Sequence, residues 1–159
     1  MSETVYIDTC ALNRLADDHS QPRVRREAEA VLGILDLIAA GKVVWVASTV
    51  LRLELERMPD SIRRIDALKV LSNAKQIAAP NAETFTRAAG FESSGLARFD
   101  ALHLAVAIQV GVDALLTTDD RFLKAATRLK LTLPEIANPV DWIERRHPWL
   151  LPKPPSSAR

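Results

Sequence analysis

"FDALHLAVAIQVGVDALLTTDDRFLKAA", residues 99–126, reads as a helix, a strand and a helix in succession. Its first part belongs to a strongly apolar helix starting near Leu96, and Gly111 closes it, glycine being the usual residue past a helix end. "DALLTT", residues 113–118, is a short apolar run of strand length. "DDRFLKAATRLK", residues 119–130, opens on acids and closes on bases, the charge order that suits a helix dipole.

The same alternation continues outward in both directions. Towards the N-terminus the expected strands are Thr4 to Asp8, "KVVWVAS" at 42–48 and "KQIAAP" at 75–80. Between them, Arg23 to Ala40 has helical apolar spacing through Val24, Ala28, Val31, Leu32, Leu35 and Ile38, with Gly41 as its stop. Ser48 caps a helix carrying "TVLRLELERM", Asp60 or Ser61 opens another to about Leu71, and Asn81 or Ala82 begins one to about Gly90. "ESSG", residues 92–95, reads as a loop. Towards the C-terminus, "LTLPEIANP" holds a fifth strand and "PVDWIERR" a short terminal helix. Strands alternating with helices imply an α/β fold, a parallel sheet of four to five strands covered on both faces. Ligands of such sheets bind at the C-terminal strand ends, where the strand order reverses.

Composition bounds the function. A chain of 159 residues, 48% apolar and 26% charged, suits one soluble domain with a sizeable core, expected over residues 1–147. Residues 148–159 hold four prolines and small polar residues, and a disordered tail is expected there. A net charge of +1 provides no global field towards nucleic acid or membrane, so any RNA contact must come from local patches. The single cysteine, Cys10, excludes an internal disulfide framework and a Cys-rich zinc site. With no signal pattern and no membrane-length apolar run, the expectation is a cytoplasmic protein with no membrane partner.

The strand ends carry acids. Asp8 ends strand one, and Asp119 follows strand four with Asp120 beside it. Asp100 lies in the first turn of the helix before strand four, and Glu54 about two turns into the helix after strand two. If strands one and four are neighbours, these carboxylates converge. Like charges held that close raise one another's pKa unless a cation intervenes, and oxygen-only ligands favour Mg²⁺ or Mn²⁺. Blander readings stand beside this one. Taken alone, Asp119 reads first as a helix cap and only then as a ligand, Asp100 equally as a dipole partner, and Glu54 and Glu56 by default as a solvated face with Glu56 paired to Arg52. Asp8 is the hardest to explain in that way, because it ends an apolar strand.

The segments resemble, in order, the motifs of PIN-domain ribonucleases, many of which are VapC-like toxins of toxin–antitoxin pairs. "YIDTCALNRL" at 6–15 resembles the first, "ASTVLRLELER" at 47–57 the second, and "DALHLAVA" with "LLTTDD" the third and fourth. The likeness runs from about Val5 to Asp141. It implies a three-layer α/β/α sandwich, PIN-like and Rossmann-like. By the same resemblance Asp8, Glu54, Asp100 and Asp119 would be catalytic and hold one or two Mg²⁺ or Mn²⁺ ions for hydrolysis of phosphodiester bonds in single-stranded RNA. Asp120 and Thr117 would be helpers, an outer acid and an orienting hydroxyl. Many relatives have Asn or Ser where this chain has Cys10, and Asn13 would substitute as the polar group. A homodimer and a cognate antitoxin are the implied partners.

Cys10, flanked by no histidine, reads as a small buried residue, not a catalytic thiol. His103, three residues after Asp100, reads as a packed histidine that hydrogen-bonds locally, and Trp142 and Trp149 as packing the terminal segment. Among several arginines, Arg14 and Arg57 lie nearest the acids and are the expected RNA contacts. Two other classes remain: a PIN-domain nuclease of RNA processing with no antitoxin, and a non-catalytic RNA-binding or signalling module. A receiver-like domain would need an acid pair after strand one, and an aspartyl phosphatase an acid two residues after Asp8, where Cys10 stands.

Overall fold

The computed structural model describes residues 2–153. Its sheet has five strands, β1 (Glu3–Ile7), β2 (Val43–Ser48), β3 (Gln76–Ala78), β4 (Ala114–Leu116) and β5 (Glu135–Ala137). They lie in the order β3-β2-β1-β4-β5, and every pairing is parallel. The chain builds outward from β1 to β3, then crosses back to place β4 on the other side of β1. The strand order therefore reverses between β1 and β4, where Val5 pairs with Ala114 and Ile7 with Leu116.

Eight helices surround the sheet among the described residues: α1 (Thr9–Asn13), α2 (Pro22–Ala39), α3 (Thr49–Glu56), α4 (Ser61–Leu71), α5 (Ala82–Ser93), α6 (Arg98–Val110), α7 (Asp120–Arg128) and α8 (Pro139–Arg146). Most start at the C-terminal ends of strands because the sequence puts a capping residue there. Asp8, Ser48, Asp119 and Asn138 each accept a backbone N–H of the helix that follows. At the other end of α6, Gly111 takes the left-handed conformation (φ 70°) that a side chain would disfavour.

Side-chain alternation along the strands divides the core. Val5, Ile7, Trp45, Ala47 and Leu116 point to the face covered by α2 and α8, with Ile34, Leu37, Trp142 and Ile143. Tyr6, Val46 and Leu115 point to the opposite face, with Leu104, Ala107 and Phe122 of α6 and α7. Successive residues of a strand face opposite sides, so Asp8 continues on the face of Tyr6.

Several expectations are corrected. On α2, Leu32 is 51% exposed, while Ile34 and Leu37 are buried: the buried stripe is turned relative to the one read from spacing. Helix α5 runs on to Ser93, through half of the stretch expected as a loop, because nothing in "FESS" breaks a helix before Gly95 at φ 106°. The chain does not leave the domain after residue 147: Pro148–Leu150 form a 3-10 turn and Leu151 is buried against the core. Trp142 is fully buried, but Trp149 is 72% exposed, its ring edge-on to His147 and outside the core. The rest of the expected tail, residues 154–159, lies outside the described residues.

Candidate active site

The reversal of strand order puts the ends of β1 and β4 side by side, and two of the acids follow from it directly. Asp8 is 1% exposed; its backbone N–H donates to the Leu116 carbonyl at 3.1 Å, tying the site across the switch point. Its Oδ1 accepts from the Ala11 N–H at 2.9 Å. Asp119 caps α7, accepting from the N–H groups of Arg121 and Phe122. Thr117 stands between the two: its buried hydroxyl oxygen accepts from the Asp119 N–H at 3.1 Å, and the same hydroxyl favours the charged form of Asp8.

Glu54 and Asp100 complete the group from α3 and α6. Glu54 Oε1 accepts from the Thr9 hydroxyl at 2.8 Å and from Nε2 of His103. His103 lies one helical turn beyond Asp100, and is 2% exposed. The bland and functional readings of these acids thus coexist. Asp8 and Asp119 are helix caps, and a cap consumes one carboxylate oxygen.

The acids lie within electrostatic reach of one another. Burial pushes Asp8 up to about 6, and the Asp100 charge adds to that, against the opposing pull of the Thr117 bond, His103 and the Ala11 N–H. Asp100 also rises to about 6, first through burial, then through Asp119 and Glu54, with His103 again opposing. Cys10 reports on all four. Its half-buried thiol is pushed up to about 12 by burial and then by Asp8, Asp119, Asp100 and Glu54. The thiol is therefore protonated and a poor nucleophile. Neither Asp8 nor Asp100 has a lysine or arginine among the groups that set its shift.

A divalent cation fits this donor chemistry: hard oxygen donors, neighbouring carboxylates that repel, and no lysine or arginine to relieve them. Among the described residues, no three acid, histidine or cysteine side chains already stand in a ligating arrangement.

Four other residues singled out from the sequence lie elsewhere. Asp120 is exposed, and both of its carboxylate oxygens are taken by Arg23. Asn13 lines a cleft between α1 and α4 with Leu12, Met58 and Ala67. Arg14 spends its guanidinium on Glu27 and Asp17, each at 3.0 Å, leaving little for a phosphate. Arg57, at the C-terminal cap of α3, is exposed and has no carboxylate partner among the described residues.

Sequence reasoning missed the frame around the acids. The pairing of Arg23 with Asp120 joins residues 97 apart, and that of His103 with Glu54 joins residues 49 apart. The one available signal was the spacing of Asp100 and His103, three apart on one helical face.

No curated protein sequence matches the chain. Among solved structures it is similar to VapC20 of Mycobacterium tuberculosis, a Sarcin-Ricin loop cleaving toxin. The two share 18% identity over 76% of this chain and 94% of that one, with a TM-score of 0.56. It is also similar to PAE2754 from Pyrobaculum aerophilum, at 22% identity over 91% of this chain and 88% of that one, with a TM-score of 0.50. At these identities the likeness speaks for the fold. The PIN domain family model matches residues 5–128, from β1 to the end of α7, a span that contains all four acids. The chain belongs to the PIN domain family.

Proposed function

We propose that the chain is a Mg²⁺- or Mn²⁺-dependent endoribonuclease that hydrolyses phosphodiester bonds in single-stranded RNA, the toxin of a toxin–antitoxin pair. Family membership supports the nuclease. The observation that carries the rest is the gathering of acids at the strand-order reversal: Asp8 and Asp100 both rise to about 6, first through burial and then through neighbouring carboxylates, with no arginine or lysine among the groups acting on them. The likeness to a loop-cleaving toxin supports RNA as substrate and the toxin role. A cognate antitoxin, a homodimer and a cytoplasmic setting belong to the same reading. No helix among the described residues is long and apolar enough to cross a membrane.

Asp8, Asp100, Asp119 and Glu54 would hold the cation. Bound there, it would supply a nucleophilic water at neutral pH and stabilise charge on the phosphoryl oxygens. The chain's own residues do the positioning. Thr117 holds the start of the Asp119 loop through its hydroxyl, beside Asp8. Thr9 and His103 hold Glu54. Arg57, exposed one residue past α3, would contact a phosphate of the bound strand. Cys10 keeps its proton beside the acids and takes no part in proton transfer.

The test is cleavage of single-stranded RNA by wild type, Asp8→Asn and Asp100→Asn with Mg²⁺, with Mn²⁺ and with EDTA. Activity in wild type alone, abolished by EDTA and restored by either metal, is the expected result. Cleavage that survives EDTA or both substitutions refutes the reading.

A further inference from the structure

We propose that His103 is a positioning residue for Glu54, aimed by a hydrogen-bond chain that starts at the cap of α3 and crosses the sheet face through Tyr6. The chain has four links. The Leu51 N–H donates to Ser48 Oγ at 3.0 Å, Ser48 Oγ meets the Tyr6 hydroxyl at 2.5 Å, Tyr6 meets His103 Nδ1 at 2.5 Å, and His103 Nε2 meets Glu54 Oε1. Ser48, Tyr6 and His103 are all buried, so each polar atom must find its partner within the protein.

The direction of each link follows from counting hydrogens. An ionised Glu54 only accepts, so Nε2 of His103 carries the hydrogen. In the neutral ring Nδ1 is then an acceptor, and the one hydrogen of Tyr6 goes to it. The Tyr6 oxygen is left to accept from Ser48, whose own oxygen already takes the Leu51 N–H. Every donor and acceptor is used once and none is left over. The opposite polarity would have Nδ1 donate to Tyr6 and Tyr6 donate to Ser48, and the buried Ser48 hydrogen would have no acceptor. Burial therefore selects the Nε2–H tautomer.

The consequence falls on Glu54. Its Oε1 takes both the His103 and Thr9 hydrogens, while Oε2 takes no hydrogen bond from the described residues. Glutamate has one more rotatable bond than aspartate and reaches the site from α3, so it is the acid with most freedom to lose. The chain fixes that freedom and presents one oxygen, which rests on the cation-site reading above. Ser48 and Tyr6 thus have a purpose beyond capping a helix and filling a core.

Two measurements test this on the whole chain. The first is nitrogen-15 NMR of the histidine rings at pH 7.5 in EDTA. The Nε2–H tautomer for His103 in wild type, and its loss in Tyr6→Phe, uphold the aiming chain; an Nδ1–H ring in wild type overturns it. The second is Mn²⁺ binding by calorimetry. His103→Phe should weaken binding about 10- to 100-fold, the usual cost of losing a partner of a ligand. His103→Gln, which still offers a donor to Oε1, should recover most of that loss. Unchanged Mn²⁺ affinity in His103→Phe, or no recovery in a folded His103→Gln, overturns the role. Wild type that binds no Mn²⁺ overturns the functional reading and the affinity claim together, while the ring tautomer still decides the chain by itself.

Discussion

Arg23, in the first turn of α2, grips Asp120, in the first turn of α7, with two nitrogens: Nη1 to Oδ2 and Nη2 to Oδ1, each 2.9 Å. Nη2 also reaches the Thr118 carbonyl at 3.3 Å, and Nε stands 3.4 Å from the buried Glu27. Glu27 further accepts from Arg14 at 3.0 Å and from Asn138 at 2.5 Å. The Glu27 carboxylate thus ties α2 to the end of α1 and to the start of α8, while Arg23 ties α2 to the loop bearing Thr117 and Asp119.

The two ends of this network should respond differently. Arg23 and Asp120 are both more than half exposed, so their pair stabilises the fold by less than about 1 kcal/mol. Arg23→Ala should leave the melting temperature within about 3 °C of wild type. It should nevertheless lower RNA cleavage about tenfold, because the loop that orients Asp119 loses its clamp and misplacement of a site group is costly. Glu27→Ala removes the buried partner of Arg14, Arg23 and Asn138 and should cost about 3 kcal/mol, seen in urea melts. Equal effects of the two substitutions on stability would refute the division.

Stability of the metal-free protein should fall as pH rises from about 4 to about 6. Asp8 has its folded value near 6, above the ordinary value near 3.9. Between these values the unfolded chain releases the proton while the folded chain retains it, so each step up in pH favours unfolding. The loss is complete above about 6. Asp8→Asn removes it and keeps the cap, since asparagine caps as well as aspartate. In EDTA at pH 7.5 the variant should exceed wild type by on the order of 1–3 kcal/mol, the gap closing towards pH 4. Asp100→Asn should follow the same sign with a smaller gain, because Asp100 is partly in water. Melts of the three proteins across that range decide it, and a variant no more stable than wild type at pH 7.5 counts against a strained Asp8.

The contrast between Asp8 and Arg23 marks what was legible in the sequence. Asp8 could be read because its strand, its position at the strand end and its neighbours in the chain are local facts. Asp119 and Ser48 were readable for the same reason, and the alternation of elements made the parallel sheet follow. Arg23 and Asp120 are 97 residues apart, and nothing local says that two charged helix starts will face each other. Arg14 shows the same limit: proximity to Asp8 in sequence suggested RNA, and its ion pair with Glu27, from the next helix, has no local sign. Leu32 and Trp149 show the other limit. A helical stripe read from spacing has an uncertain rotation, and an aromatic near a chain end has no local sign of what covers it.

Cys10 should be chemically quiet despite its place among the acids. A thiol pushed up to about 12 holds almost no thiolate at pH 7.5, and alkylation needs the thiolate. Iodoacetamide should label native metal-free protein at least about 100-fold more slowly than urea-unfolded protein, whose cysteine titrates near 8.5. Cys10→Ala should retain RNA cleavage within about threefold, as expected for a side chain that packs and transfers no proton. Fast labelling of the native protein, or loss of cleavage in Cys10→Ala, would mean that the thiol is used.

Arg14 and Arg57 separate a structural arginine from a binding one. Arg57 has no carboxylate partner among the described residues, so its charge is available to a phosphate. A lysine or arginine that neutralises one phosphate of a single strand contributes about 0.7 to the slope of log affinity against log salt. Arg57→Ala, in an Asp8→Asn background that cannot cleave, should lower that slope by roughly this amount and leave the melting temperature unchanged. Arg14→Ala should do the reverse. Its guanidinium is already matched by Glu27 and Asp17, so removing it uncovers a buried carboxylate and lowers stability, while the salt slope stays as it was. A salt slope that falls with Arg14→Ala and not with Arg57→Ala would show that the strand passes over α1 and away from the end of α3.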